Sequence, residues 1–254
     1  MEGLLDKAIF ILSLIGYLLV AAQPRALTPS TVKVKKPSPD RVIEMLREGN
    51  ARFVAGKSLH PHQDAKRLRQ AATEDQGNHA FATIISCSDS RVPVEFIFDV
   101  GIMDVFVIRV AGNVCDVNEI GSIEYGGAHV LTPLILVLGH TQCGAVRTVA
   151  LGAQGKIQPA VLKAMEAHPD KQGDAIIPHA IVENVWESIE DLFLNSAFIR
   201  NGVTAGKVKV VVAIYDVGSR KIEWLPESKV KEILPKASAS PRLAIRGRVG
   251  IEEK

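Results

Sequence analysis

The chain has few cysteines, little net charge and no long apolar run, and each shortage removes a class of protein. Three cysteines in 254 residues cannot build the disulfide framework of a small secreted scaffold, so metal binding or catalysis is the better use for at least two of them. A formal charge of +2 is too weak a field to draw the chain onto nucleic acid or an anionic membrane. The apolar stretch over residues 8–22 is short for a bilayer-spanning helix. There is no internal repeat and no sign of a second domain. Hydrophobic residues are plentiful at 47%, ample for a core.

The stretch 8–22 ends in Val20-Ala21-Ala22 ahead of polar Gln23-Pro24-Arg25, the pattern of a secretory signal. Residues 1–22 are therefore expected to be a cleaved signal peptide, giving a periplasmic or secreted protein. Glu2 and Asp6 against the single Lys7 fit a positive leader badly, so an uncleaved N-terminal membrane anchor is the alternative. Residues 23–37, rich in proline and lysine, read as a linker.

Ser38-Pro39-Asp40 supplies a capping hydroxyl, a first-turn proline and an acid at the positive end of the dipole, so a helix starts there. Val42, Leu46 and Phe53 continue it, with a break expected at Gly49-Asn50. Residues 55–79 are polar and irregular apart from a short basic helix over Ala65–Thr73. From Ala80 strands and helices alternate. Strands are expected into Cys87, over Asp104–Val110, over Pro133–Gly139 and over Lys207–Tyr215, with a short last strand over Lys221–Leu225. Helices are expected over Asn118–Val130, Cys143–Leu151 and Pro178–Ile199, the last with Ile181, Val185, Ile189 and Leu192 on one stripe. Residues 152–177 read as an irregular insertion, and the tail 226–254 as charged and weakly patterned. The alternation implies an α/β fold with a parallel sheet covered on both faces.

Two strand ends carry the chemistry. Cys87-Ser88-Asp89-Ser90-Arg91 follows the first strand, and His140-Thr141-Gln142-Cys143-Gly144 follows the third. Carboxyl ends of strands are where open α/β sheets place their sites. Cys87, His140 and Cys143 form a zinc ligand set that leaves one tetrahedral corner free. His140 and Cys143 lie close enough for one loop turn to present both, and a helix starting at Cys143 would favour its thiolate. Asp89 can accept a proton or hydrogen bond, and Arg91 can hold it in place. Asp89–Arg91 as an ordinary ion pair and the cysteines as packing residues are the plainer alternatives. Cys115 reads as a small buried hydrophobe and His60 and His62 as solvated loop residues. His79, His129, His168 and His179 carry no functional assignment. Gly112, Gly126 and Gly127 read as sites of close backbone approach.

Cys-Ser-Asp-Ser-Arg followed downstream by His-Thr-Gln-Cys-Gly resembles the β-class carbonic anhydrases, in particular their bacterial members. The likeness extends through Phe81–Ser86, Val92–Val100, Arg109–Asn113, Gly121–Tyr125 and Leu134–Gly144, and covers about residues 38–225. It implies zinc-dependent, reversible hydration of CO2 to bicarbonate and a proton, with one Zn2+ per chain. It further implies a mixed, mainly parallel sheet flanked by helices, with an N-terminal helical arm that embraces the partner in a homodimer or larger homo-oligomer. By the same resemblance Cys87, His140 and Cys143 bind zinc and Asp89 with Arg91 forms the catalytic dyad. Asp89 becomes a fourth metal ligand in a closed state. The Gly144 backbone faces substrate, and Tyr125 lies on a helix bordering the site. Many relatives carry a substrate-contacting glutamine nine residues before the first cysteine; here that position is Asn78, one methylene shorter. Two rival functions share these residues: hydrolysis of a CO2 analogue such as COS or CS2, and a non-catalytic zinc-binding scaffold.

Overall fold

The structure is a computed structural model that describes residues 35–242. The signal-like segment 1–22, nearly all of the 23–37 linker and the end of the tail lie outside those residues. The chain begins with helix α1, Pro39–Val54, capped by the Ser38 hydroxyl accepting from the Arg41 amide. Helix α2, Ala65–Thr73, follows with Asp64 as its cap. Strand β1, Ala82–Ser86, then leads to a four-residue helix α3, Val94–Ile97, and strand β2, Val105–Arg109. Helix α4, Val117–Ala128, opens with an Asp116/Glu119 capping box and returns to strand β3, Leu134–His140. Helices α5, Gly144–Ala150, α6, Gln158–Ala167, α7, Ile177–Asn195, and α8, Ala197–Thr204, precede strand β4, Lys209–Tyr215. A tight turn joins β4 to strand β5, Ile222–Trp224, and helix α9, Glu227–Ala239, completes the described chain.

The five strands lie in the order β2-β1-β3-β4-β5, parallel except for β5. Alternate residues of each strand point to opposite faces, which divides the core in two. Ile85, Ile135, Val137, Val210 and Val212 pack under α4 to α9, while Ile84, Leu134, Leu136, Leu138 and Val211 pack with α1 and α3. The chain leaves β1 toward β2 on one side and resumes at β3 on the other. The crevice between the carboxyl ends of β1 and β3 is therefore a topological switch point.

Several sequence expectations change. Helix α1 runs straight through Gly49-Asn50 instead of breaking. A Cβ on Gly49 would lie 1.8 Å from the Phe98 carbonyl oxygen, so the glycine serves close packing. Asn50 is buried, donating to the Ile97 and Arg220 carbonyls and accepting from the Ile222 amide. The helix also packs on its own sheet through Val42, Ile43 and Leu46. The 152–177 insertion is structured: α6 and the turn Gly173–Ile176 bury Ile157, Ala160, Val161, Ala164 and Ile176 against α7. The long helix ends at Asn195, where Ser196 caps α8. Residues 227–239 are a helix whose Lys229 ammonium sits 4.8 Å from the Trp186 ring, continuous with the body and not a loose tail. His62 and His79 are tied in as well. His62 Nδ1 meets Asp104 at 2.7 Å, and His79 bridges Arg67 and Glu74.

Asp99 locks residues 57–60 to this frame. Its side chain is 1% exposed, and it accepts from Arg52 Nε at 2.6 Å and from the Leu59 and His60 amides. Burial alone would raise the carboxyl, but those two amides and the guanidinium outweigh it and hold it below the usual carboxylate range. Asp99→Asn is expected to cost about 2–3 kcal/mol near neutral pH, read by chemical denaturation. Because the folded value is depressed, the stabilisation is full above the unfolded carboxyl value of about 3.9. It disappears as pH falls through the lower folded value, so parent and variant should converge in acid.

Candidate metal centre

The site grows from the two strands that flank the switch point. β1 and β3 pair with Ser86 opposite Leu138, which brings Cys87 and His140 out side by side. Gly139 makes room for this: a Cβ there would meet Val185 at 2.5 Å. Beyond His140 the chain turns through Gln142 at φ 58, an uncommon angle for a non-glycine residue, and delivers Cys143 at the start of α5. Thr141 pins this loop to the end of β4, donating from its hydroxyl to Asp216 Oδ2 at 3.1 Å and accepting from the Val217 amide.

Cys87 Sγ, His140 and Cys143 Sγ place their ligand atoms within 4.8 Å of one another, all three buried. His140 Nδ1 lies 3.0 Å from the Thr141 carbonyl, an oxygen that can only accept, so Nδ1 carries the proton. Nε2 is left with its lone pair facing the sulfurs, fully buried and, among the described residues, without a hydrogen-bond partner. A buried acceptor is rarely left orphaned, and here a cation would satisfy it. The sulfurs are likewise arranged for negative charge. The Gly112 amide donates to Cys87 Sγ at 3.3 Å and the Asp89 amide at 3.4 Å, while the Ala145 and Val146 amides face Cys143. The neighbouring Cys143 first, and then the two amides, draw Cys87 well below an ordinary thiol, against the effect of burial. The same contact pushes Cys143 up. The cluster is thus arranged to carry negative charge, which a cation held there would balance. Two thiolates and one unprotonated imidazole are a donor set suited to zinc, so these residues fit the ion.

Asp89 sits at the edge of this cluster, its Oδ2 4.0 Å from His140 Nε2. Arg91 grips it with Nε on Oδ1 at 3.0 Å, an Nη on Oδ2 at 2.7 Å and its own backbone amide on Oδ1 at 2.9 Å. The Arg91 side chain first, then that amide, hold the carboxyl well below the carboxylate range against burial. Arg91 also donates to the Gln142 carbonyl at 3.1 Å, so it joins both loops. Gly144 faces open space, with nothing within 4 Å of where a Cβ would stand. Next to it is a cavity of about 720 Å³ walled by Ile177, Ile181, Val182 and Ile214 and also lined by Arg91 and Gln142.

Asn78 and Tyr125 are not brought to the cluster of their own chain. Asn78 closes a turn before β1, and Tyr125 stands near the end of α4 against Phe106, ring centroids 5.8 Å apart. Phe106 pairs with Thr83, four residues before Cys87, so about 13 Å of strand separates the Tyr125 neighbourhood from Cys87, and Asn78 precedes the strand altogether. Two contributions were not read from sequence. Arg109 clamps the Cys87 loop, donating to the Cys87 carbonyl at 3.2 Å and the Asp89 carbonyl at 2.7 Å. Asn184 and Ser188 hold the turn that carries the Gly112 amide. Their signal was two polar residues one helical turn apart beside an apolar stripe.

Against known proteins, residues 82–222 match the family model described as carbonic anhydrase. A carbonic anhydrase of Mycolicibacterium smegmatis is 34% identical over 194 residues, 73% of this chain and 93% of that one. Carbonic anhydrase 2 of Mycobacterium tuberculosis is 33% identical, over 71% of this chain and 89% of that one. Among solved structures, the β-carbonic anhydrase CafA of Aspergillus fumigatus superposes with a TM-score of 0.56 at 26% identity, covering 78% of this chain and 97% of that one. Two tetrameric β-carbonic anhydrases of Sordaria macrospora share the fold at a TM-score of 0.54 and 24% identity, over 73% of this chain and 97% of the matched one. Sequence, fold and the split cysteine–histidine–cysteine cluster agree, and the chain belongs to the β-class carbonic anhydrases.

Proposed function

We propose that the protein catalyses the reversible hydration of CO2 to bicarbonate and a proton, with one zinc ion held by Cys87, His140 and Cys143. The observation that carries this reading is the orphaned His140 Nε2, buried between two thiols beside an Arg-held carboxylate. Zinc supplies Lewis acidity, which makes water a competent nucleophile near neutral pH. The remaining work belongs to the chain. Asp89, kept ionised by Arg91, accepts a hydrogen bond from the attacking water and so fixes its orientation. Arg91 keeps the carboxylate engaged on two sides, which holds it back from the metal position. The bare Gly144 backbone leaves room for substrate, and the apolar cavity wall suits an uncharged linear molecule.

A homo-oligomer is part of the same proposal. Strand β2 is an edge of the sheet, and Val105–Ile108 on it are only partly buried. Beside them Tyr125 is 46% exposed. An unpaired apolar edge of this kind supports closure by a second copy. Asn78 and Tyr125 then lie toward the neighbouring chain's site.

Stopped-flow CO2 hydration with zinc-loaded protein tests the function, and light scattering on the same sample gives the mass. Rates far above buffer that vanish on chelation, from a particle of at least twice the chain mass, are expected. Fully zinc-loaded protein with no rate above buffer would leave the scaffold reading, and turnover of COS without CO2 hydration would leave the hydrolase.

A further inference from the structure

Helix α7 carries three buried polar residues on a helix otherwise packed through Ile181, Val185, Ile189 and Leu192. Asn184, Ser188 and Asp191 are each 2% exposed. Asp191 meets Lys156 at 2.9 Å and Arg242 at 2.9 Å, which ties down the insertion and the C-terminal segment. The other two serve the metal centre. Asn184 Nδ2 donates to the Gly112 carbonyl at 2.6 Å, and the single Ser188 hydroxyl proton is shared between the Asn113 carbonyl at 3.0 Å and the Asn184 carbonyl of its own helix at 2.9 Å.

The turn they hold is the one whose amide reaches the metal cluster. Gly112 has φ 76 and Asn113 φ 47, two consecutive left-handed residues, the second unfavourable for a residue with a side chain. Such a turn persists only where its surroundings determine it. Ile157 closes on one side, since a Cβ on Gly112 would lie 2.5 Å from its Cδ1. Asn184 and Ser188 take the two carbonyls. With its carbonyl fixed, Gly112 directs its own N–H at Cys87 Sγ.

We propose that Asn184, supported by Ser188, is a positioning residue for the metal centre. It holds the Ala111–Asn113 turn so that the Gly112 amide stays on Cys87 Sγ and aims that sulfur at the ion. The inference rests on the zinc reading above. An amide on a ligating sulfur limits its rotation and disperses its charge, as partners of metal ligands do elsewhere, where their loss weakens binding by about 10–100-fold. A leucine at this position would pack comparably but leave the Gly112 carbonyl buried without a donor, and the turn free to relax.

The test compares Asn184→Leu with Leu192→Ala, a fully buried apolar change on the same helix, two turns beyond Asn184, whose side chain has no polar group to hold the turn. Zinc affinity is read by competition with a chromophoric chelator, thermal stability by calorimetry, and the sulfur-to-metal charge-transfer band on the cobalt-substituted protein. Parent protein that fails to take up zinc overturns the metal reading itself, before any variant is made. Given uptake, Asn184→Leu should weaken zinc binding about 10–100-fold and shift the cobalt band. Leu192→Ala, at equal or greater loss of stability, should leave both within twofold of the parent. Equal weakening by the two variants, or unchanged affinity in Asn184→Leu, overturns the inference. Should Asn184→Leu not fold, Ser188→Ala takes its place with a smaller loss of affinity, and an unchanged affinity there overturns the inference equally.

Discussion

Replacing Cys143 with serine is expected to remove the metal and the activity together. The three ligand atoms lie within 4.8 Å of one another, and the Ala145 and Val146 amides are already aimed at the Cys143 sulfur. A serine hydroxyl is shorter, harder and does not ionise near neutral pH, so it neither reaches the ion as the thiolate does nor supplies the charge. Structural zinc sites are worth about 10–16 kcal/mol in all. One thiolate's share, roughly 3–4 kcal/mol, corresponds to a loss of two to three orders of magnitude in affinity. Elemental analysis after dialysis should find little zinc, and stopped-flow hydration should fall to the buffer rate. Full zinc occupancy in the serine variant would overturn the ligand assignment.

Arg91→Ala should leave zinc in place and still cut hydration on the order of 100-fold, the scale of a positioned proton-handling group. In the parent the Asp89 carboxylate is held through both oxygens by Arg91, although Oδ2 lies only 4.0 Å from His140 Nε2. Without the guanidinium, only the residue 91 amide remains to hold the carboxylate. Asp89 would then be free to turn toward the ion that Cys87, His140 and Cys143 would hold, and to occupy the place the reacting water needs. Arg91 also anchors the Gln142 carbonyl, so its loss loosens the second loop as well. Full zinc with lost activity is the expected pair of results. A variant as active as the parent would show that the Asp89–Arg91 pair is an ordinary surface ion pair.

The site residues were legible because each is announced by local chemistry. A β-branched run ending in Cys-Ser-Asp-Ser-Arg, and another ending in His-Thr-Gln-Cys-Gly, state both the strand and the reactive group at its end. Strand positions were legible for the same reason: buried parallel strands are continuous apolar runs bounded by polar residues. The helix α6 within 152–177 was hidden because Gly152, Gly155, Pro159 and Gly173 surround it with turn signals, while its apolar positions fill only a narrow stripe. Gly49-Asn50 misled in the opposite direction. A glycine chosen for contact with the Phe98 carbonyl reads, in one dimension, like a helix stop.

By itself the sequence determined the candidate ligand types, the proximity of Asp89 to Arg91 and the α/β class, since side-chain chemistry and short-range periodicity are local properties. Only the tertiary structure decided that β1 and β3 are neighbours and that, among the described residues, His140 Nε2 is left without a partner. The same holds for Gly112, brought from beyond β2 to serve Cys87, and for Asn184, which lies 72 residues from that glycine along the chain. It also separated Asn78 and Tyr125 from their own chain's cluster by most of the length of a strand. Strand order, hydrogen-bond satisfaction and the distance between the two ends of a sheet come from long-range packing, which no window of neighbouring residues encodes.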